Sequence, residues 1–346
     1  MAYISFEPND HFNTKLYTGN GGTNAQTGIG FLPSWTWIKN RSDTHAHVLV
    51  DAVRGVTKEL RSNGNNAEIT TSNSFTSFDS DGFTLGADST DSYNKNSNNY
   101  VSWNWKANGA GSANTDGSIN TTATSANTTS GFSISKYTGT GSNATVGHGL
   151  GAVPKVVLVK GIGHTSQWYM YHIGTDANGV MLLDGTAAKT TDTVSWQNTT
   201  PTSSVFSIGN DGGTNGSGNT YIAYCFAEKT GFSKFGSYTG NGNADGPFVY
   251  TGFKPSYINL KRTDNTGHWI MKDWQTPGYN QNDYYLWSDT TDAETSASSL
   301  GIDFLSNGFK LRGTAGNSNG SGGTFIYMAF AEEPLVASNG TPATAR

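Results

Sequence analysis

Charge and cysteine are what this chain of 346 residues has least of. Asp, Glu, Lys and Arg make up only 14% of it, against roughly 25% in ordinary globular domains. A single cysteine, Cys225, excludes an internal disulfide, so stability has to come from packing. The net charge is −5 and the basic residues are dispersed. Without a basic stripe, nucleic-acid binding has no support. No apolar run approaches the roughly 18 residues needed to span a bilayer, so no membrane insertion is expected. The opening stretch MAYISFEPND has no basic region followed by an apolar core. It is not read as a secretory signal, and the chain is expected to be made in a cytoplasm. The Ala, Glu, Lys, Leu and Arg that long helices need in bulk do not dominate the chain, which excludes a coiled coil.

What is present is glycine, at 44 positions, and 17 Phe, 16 Tyr and 9 Trp set among Asn, Ser and Thr. Disordered chains are poor in aromatics. Uncharged polar residues, glycine and aromatics together predict an all-β protein of short strands and tight turns.

An internal repeat organises the chain. Tyr17-Thr18-Gly19 returns as Tyr137-Thr138-Gly139 and as Tyr238-Thr239-Gly240. Each is followed by a Gly three residues before a Pro, at Pro33, Pro154 and Pro255. A strand-like run then ends in Lys39, Lys160 or Lys261, and each unit closes on an aromatic strand reaching Trp105, Phe226 or Phe330. The reading is three tandem β-sandwich or jelly-roll-like repeats: 1–106, 131–230 and 231–334. Residues 107–130, rich in Gly, Ser, Thr and Asn, are expected to be a flexible or extended linker, and 335–346 a C-terminal tail. Each repeat is long enough for its own modest core, with repeat 1 the most independent.

Alternation places Val101/Trp103/Trp105, Ile222/Tyr224/Phe226 and Ile326/Met328/Phe330 on a core face. Trp35 and Trp37 fall opposite the aliphatic phase of their strand, which predicts a subunit or domain contact, with a homotrimer the first expectation.

Chemistry-bearing patterns are weak. The Tyr-Thr-Gly turns lack the Lys-Ser/Thr of a phosphate loop. Asp79-Ser80-Asp81-Gly82 begins like a calcium loop but has no closing acid, so it is read as a polar turn. His45 and His47 have zinc-like spacing without further ligands, and are read as an exposed strand pair. Lys39, Lys160 and Lys261 are read as strand-end lysines guarding an edge. No nucleophile elbow or Cys/His signature is present. No catalytic residue, metal site or cofactor is therefore expected. Trp196, Trp274, Tyr284, Tyr285 and Trp287 sit amid polar segments, the surroundings of sugar-stacking or hot-spot aromatics, and are the candidate ligand-binding residues.

The blocks FKPSYINLKRTD, LGIDFLSNGFKLR, GGTFIYMAFAEEP and TPATAR, with FLPSWTWIKNR and TSFDSDGFTLG in the first repeat, resemble a glycine-rich β-repeat of marine bacteriophage structural proteins. The resemblance implies a non-enzymatic virion protein, tail-fibre or adhesin-like, attached to other tail or capsid proteins and displaying loops to a host-surface glycan or receptor. It carries over no functional residues. The chain begins directly with the repeat, without an anchoring domain or stalk, so capsid decoration stands as the alternative. A polysaccharide depolymerase is the second alternative, because paired carboxylates need not be close in sequence.

Overall fold

The computed structural model describes residues 7–333. The fold is all-β, built of antiparallel sheets, and the three repeats share one plan. In each, an opening strand pairs with a closing strand, the closing strand with a middle strand, and the middle strand with a flank strand. The opening strands are Phe12–Thr18, Phe132–Thr138 and Ser233–Thr239. The closing strands are Asn99–Trp105, Thr220–Ala227 and Thr324–Phe330. The middle strands are Trp35–Asn40, Pro154–Gly161 and Tyr257–Arg262, and the flank strands Val48–Asp51, Trp168–His172 and Ile270–Asp273. A smaller sheet closes each sandwich, with an edge strand at Asn24–Gln26, Ala144–Gly147 or Phe248–Tyr250.

The repeated tyrosine explains itself. Tyr17, Tyr137 and Tyr238 stack on Tyr100, Tyr221 and Phe325 at 5.1, 5.3 and 5.0 Å. Each hydroxyl donates to a carbonyl in the loop before its closing strand: Tyr93, Thr214 and Ser318. The last glycine of each landmark, Gly21, Gly141 or Gly242, takes a positive φ that L-residues avoid. These segments are turns, as their missing phosphate-loop partners predicted.

Two kinds of core result. Each repeat has a local core between its two sheets. A fourth, central core draws on all three repeats and holds Trp35, Trp105, Phe132, Phe226, Tyr257 and Phe330. The face of the closing strands read as core is buried, and it points into this central core. The opposite face is buried as well: Tyr100, Cys225 and Ala329 lie in the local cores. Trp35 and Trp37 are contact residues, but the contact joins repeats of one chain. Trp35 stacks on Tyr224 at 4.7 Å and on Phe132 at 5.7 Å. The expectation of a more independent repeat 1 is overturned by the same packing.

The expected linker is also corrected. Within 107–130, Ala123–Asn127 is a strand on the outer edge of the second opening strand, with Ser125 opposite Ile134. Ser118 and Ile119 cover the edge strand Ala144–Gly147, the Ile119 amide donating to Thr145 O at 3.0 Å. Small polar residues that suggested flexibility suit close edge packing, where Thr124 and Ser135 hydroxyls meet at 3.0 Å. The tail expected at 335–346 lies outside the described residues.

Register-equivalent residues join the repeats in a closed ring. Trp168 of repeat 2 donates its indole N–H to Arg61 O of repeat 1 at 2.8 Å. Trp269 of repeat 3 does the same to Leu182 O of repeat 2 at 2.9 Å. His47 of repeat 1 holds the corresponding place and reaches Trp287 O of repeat 3 at 2.9 Å. A backbone set repeats the cycle: Glu68 N to Ile162 O, Lys189 N to Thr263 O, and Glu294 N to Arg41 O. A head-to-tail interface whose rotation closes makes a ring. Here one chain supplies all three positions.

Candidate functional site

The ring absorbs most of the residues with chemical potential. Lys39, Lys160 and Lys261 do not guard an edge: all three are fully buried. The Lys39 ammonium donates to Asn40 O and to Thr291 O of repeat 3, and Lys160 to Gly161 O and Asn65 O of repeat 1. Burial pulls their pKa values down, to about 7 for Lys39 and about 8 for Lys160 and Lys261. His47 is buried in a joint rather than exposed on a strand. The Trp37 indole can only donate, so His47 Nδ1 is the bare nitrogen and Nε2 carries the hydrogen toward Trp287 O. The turn at Asp79-Ser80-Asp81-Gly82 is polar, as read. Asp81 accepts the Gly28 and Gly30 amides, which hold its carboxyl below the usual range.

Of the aromatics singled out in the sequence, Trp196 is buried against Tyr171 and presents nothing to solvent. Its neighbours are polar in sequence, but the strands of its own repeat cover it. Trp274 is half-buried between Phe304 and the Lys254 ammonium, which lies 3.8 Å from its ring centre. Trp287 is half-buried against Tyr285 and His268. Tyr284, 37% exposed, and Tyr285 line a cleft where repeats 3 and 1 meet, with free room of about 10 Å³. That is about the space one water molecule needs.

Asp273 at the floor of this cleft neighbours Glu332, and both are buried carboxylates. Burial, then the Glu332 charge, pushes Asp273 up to about 8, and burial raises Glu332. Their oxygens are nevertheless engaged. Asp273 accepts from the Thr14 hydroxyl, the Trp103 indole and the Gln275 amide, and Glu332 from the Thr14 amide and the Gln275 side chain. Through Thr14 these bonds tie repeat 3 to repeat 1.

Sequence reasoning missed the most accessible aromatics. Phe248 and Tyr250 are 46% and 63% exposed, and Tyr279 is 59% exposed. With Tyr284 they are the large exposed aromatics of the described residues, and all belong to repeat 3. Phe248 and Tyr250 flank inward-facing Val249 on the edge strand of the smaller sheet, opposite Lys310 and Gly308. A Cβ at Gly308 would meet the Val249 carbonyl oxygen and, at 2.9 Å, the Phe248 ring, so glycine there admits both. By register, Phe248 and Tyr250 replace Thr145 and Gly147 of repeat 2. The signal was legible as a departure from the repeat rather than as a motif.

Among the described residues no group of three or more His, Cys, Asp or Glu is placed to hold a metal ion, and no helix is long and apolar enough to cross a membrane. No curated protein matches the chain. The family model that matches residues 7–334 covers nearly all of it, and the chain belongs to that family, described as a domain of unknown function, DUF7483.

Proposed function

We propose that the chain is a non-enzymatic structural protein of a bacteriophage particle, tail-fibre or adhesin-like, that presents repeat 3 to a host-surface glycan. The observation that carries this reading is the Phe248/Tyr250 platform. Two aromatic rings exposed on the same face of one strand suit the apolar C–H face of a sugar. The ring of repeats is the scaffold that holds the platform, and its uncharged Asn, Ser and Gly turns suit neutral hydroxyl-rich ligands. The buried lysines, histidines and acid pair are spent on joints, which favours display over catalysis.

A glycan array probed with the full chain and with a Phe248→Ala/Tyr250→Ala variant tests it. Binding that falls at least tenfold in the variant, with an unchanged melting midpoint, is the expected result. Binding indifferent to both substitutions would remove the platform from the proposal. Antibody-gold labelling of purified particles tests the location: label on the tail supports attachment, and label spread over the head makes the protein a capsid decoration.

A further inference from the structure

We propose that a small cavity where the three repeats meet is a binding site for one water molecule, held by Trp35 and Trp105 of repeat 1 and Asn259 of repeat 3. The cavity has about 10 Å³ of free room, about what a single water needs. Trp35 and Trp105 line it from repeat 1, Leu158 and Phe226 from repeat 2, and Asn259 and Met328 from repeat 3.

The indoles supply the donors. Among the described residues the central core holds six tryptophans, and four of them place the indole N–H on an acceptor. Trp37 donates to His47 Nδ1, Trp103 to Asp273, Trp168 to Arg61 O and Trp269 to Leu182 O. Trp35 Nε1 and Trp105 Nε1 have no partner among the described residues, although both side chains are almost wholly buried. Buried donors are ordinarily satisfied by protein or by ordered water. These two residues stand opposite each other in register, with their rings 4.5 Å apart.

Asn259 supplies the acceptor. It is 2% exposed, and its Oδ1 is likewise without a partner among the described residues. Its amide nitrogen donates to the Tyr257 hydroxyl, which fixes the oxygen as the group left over. By register Asn259 faces Met328 and holds the position of Trp37 in repeat 1 and Leu158 in repeat 2. A polar side chain at a place that is apolar in both sister copies gains nothing from packing. Beside two indole donors with nothing to bond, its oxygen has a use.

One water satisfies all three groups. Its oxygen accepts the two indole hydrogens, and it donates one hydrogen of its own to Asn259 Oδ1. About three bonds are the usual complement of a buried water. An anion would accept from the same indoles but would face the Asn259 oxygen, which has no hydrogen to give. The water thus joins repeat 3 to repeat 1 through groups that leave one another unbonded.

A high-resolution crystal structure of the full chain tests this. A single peak at roughly 2.7–3.2 Å from Trp35 Nε1, Trp105 Nε1 and Asn259 Oδ1 is the expected result. A cavity free of density would overturn the proposal, and an anomalous peak there in crystals grown with bromide would overturn it in favour of a halide. In solution, NMR cross-relaxation from water should reach the indole hydrogens of Trp35 and Trp105 but not those of Trp168 and Trp269, which are held by carbonyls. Asn259→Leu, which installs the side chain of repeat 2, should abolish that transfer. Transfer retained in full would overturn the role of Asn259. The density and cross-relaxation of the unaltered chain decide the site whether or not the variant folds.

Discussion

The imidazole of His172 accepts the Gly174 amide at Nδ1, so its hydrogen sits on Nε2 and reaches Tyr327 O of the next repeat at 3.1 Å. Protonation would put a second hydrogen where an acceptor is needed, inside a fully buried joint. Burial accordingly pulls the His172 pKa down from 6.5 to about 4. The unfolded chain therefore takes up this proton first as the pH falls. The contribution is complete above about 6.5 and is lost progressively between 6.5 and 4. Melting midpoints should fall over that window, and His172→Gln, which keeps a donor without a titrating ring, should flatten part of the slope. An identical slope in the variant would take His172 out of the acid response. None of this was legible from the residue alone, because the neighbouring repeat supplies both the burial and the carbonyl.

At the scale of the strand, period-two alternation found one of the two buried faces of every closing strand but not which core it serves. Trp105, Phe226 and Phe330 look identical in pattern to residues packing inside their own sandwich, yet they meet across repeats. Phe330 lies 5.6 Å from Trp105 and 5.7 Å from Phe226. Alternation reports that a face is dry and carries no information on what dries it. The same limit explains Trp196, whose polar neighbours in sequence hid its burial, and Phe248 and Tyr250, whose exposure shows only against the Thr145 and Gly147 of a sister repeat. Replacing Trp105, Phe226 or Phe330 by Ala should each cost about 3–5 kcal/mol in chemical denaturation. Tyr279→Ala, on the surface, should stay within about 0.5 kcal/mol. A closing-strand variant as mild as Tyr279→Ala would contradict a central core that depends on these rings.

For the whole molecule, the consequence is that each repeat buries one face of its main sheet against the other two. The landmarks made three repeats plain in the sequence, whereas the ring rests on contacts between residues as far apart as His47 and Trp287, which no local pattern records. Strands apolar on both faces suggested a subunit or domain contact; the three-way packing between repeats of one chain accounts for that pattern. Removing repeat 3 would uncover Trp35, Trp103 and Trp105 on one side and Phe226 on the other, and would leave the Lys39 ammonium without Thr291 O. A chain ending at residue 230 should therefore lose its sharp cooperative melting transition and bind a hydrophobic dye at temperatures where the full chain does not. If the shortened chain instead melted in one sharp step at the full-length midpoint, the repeats would be stable without closure, and the joints would serve to orient repeat 3 rather than to hold the fold together.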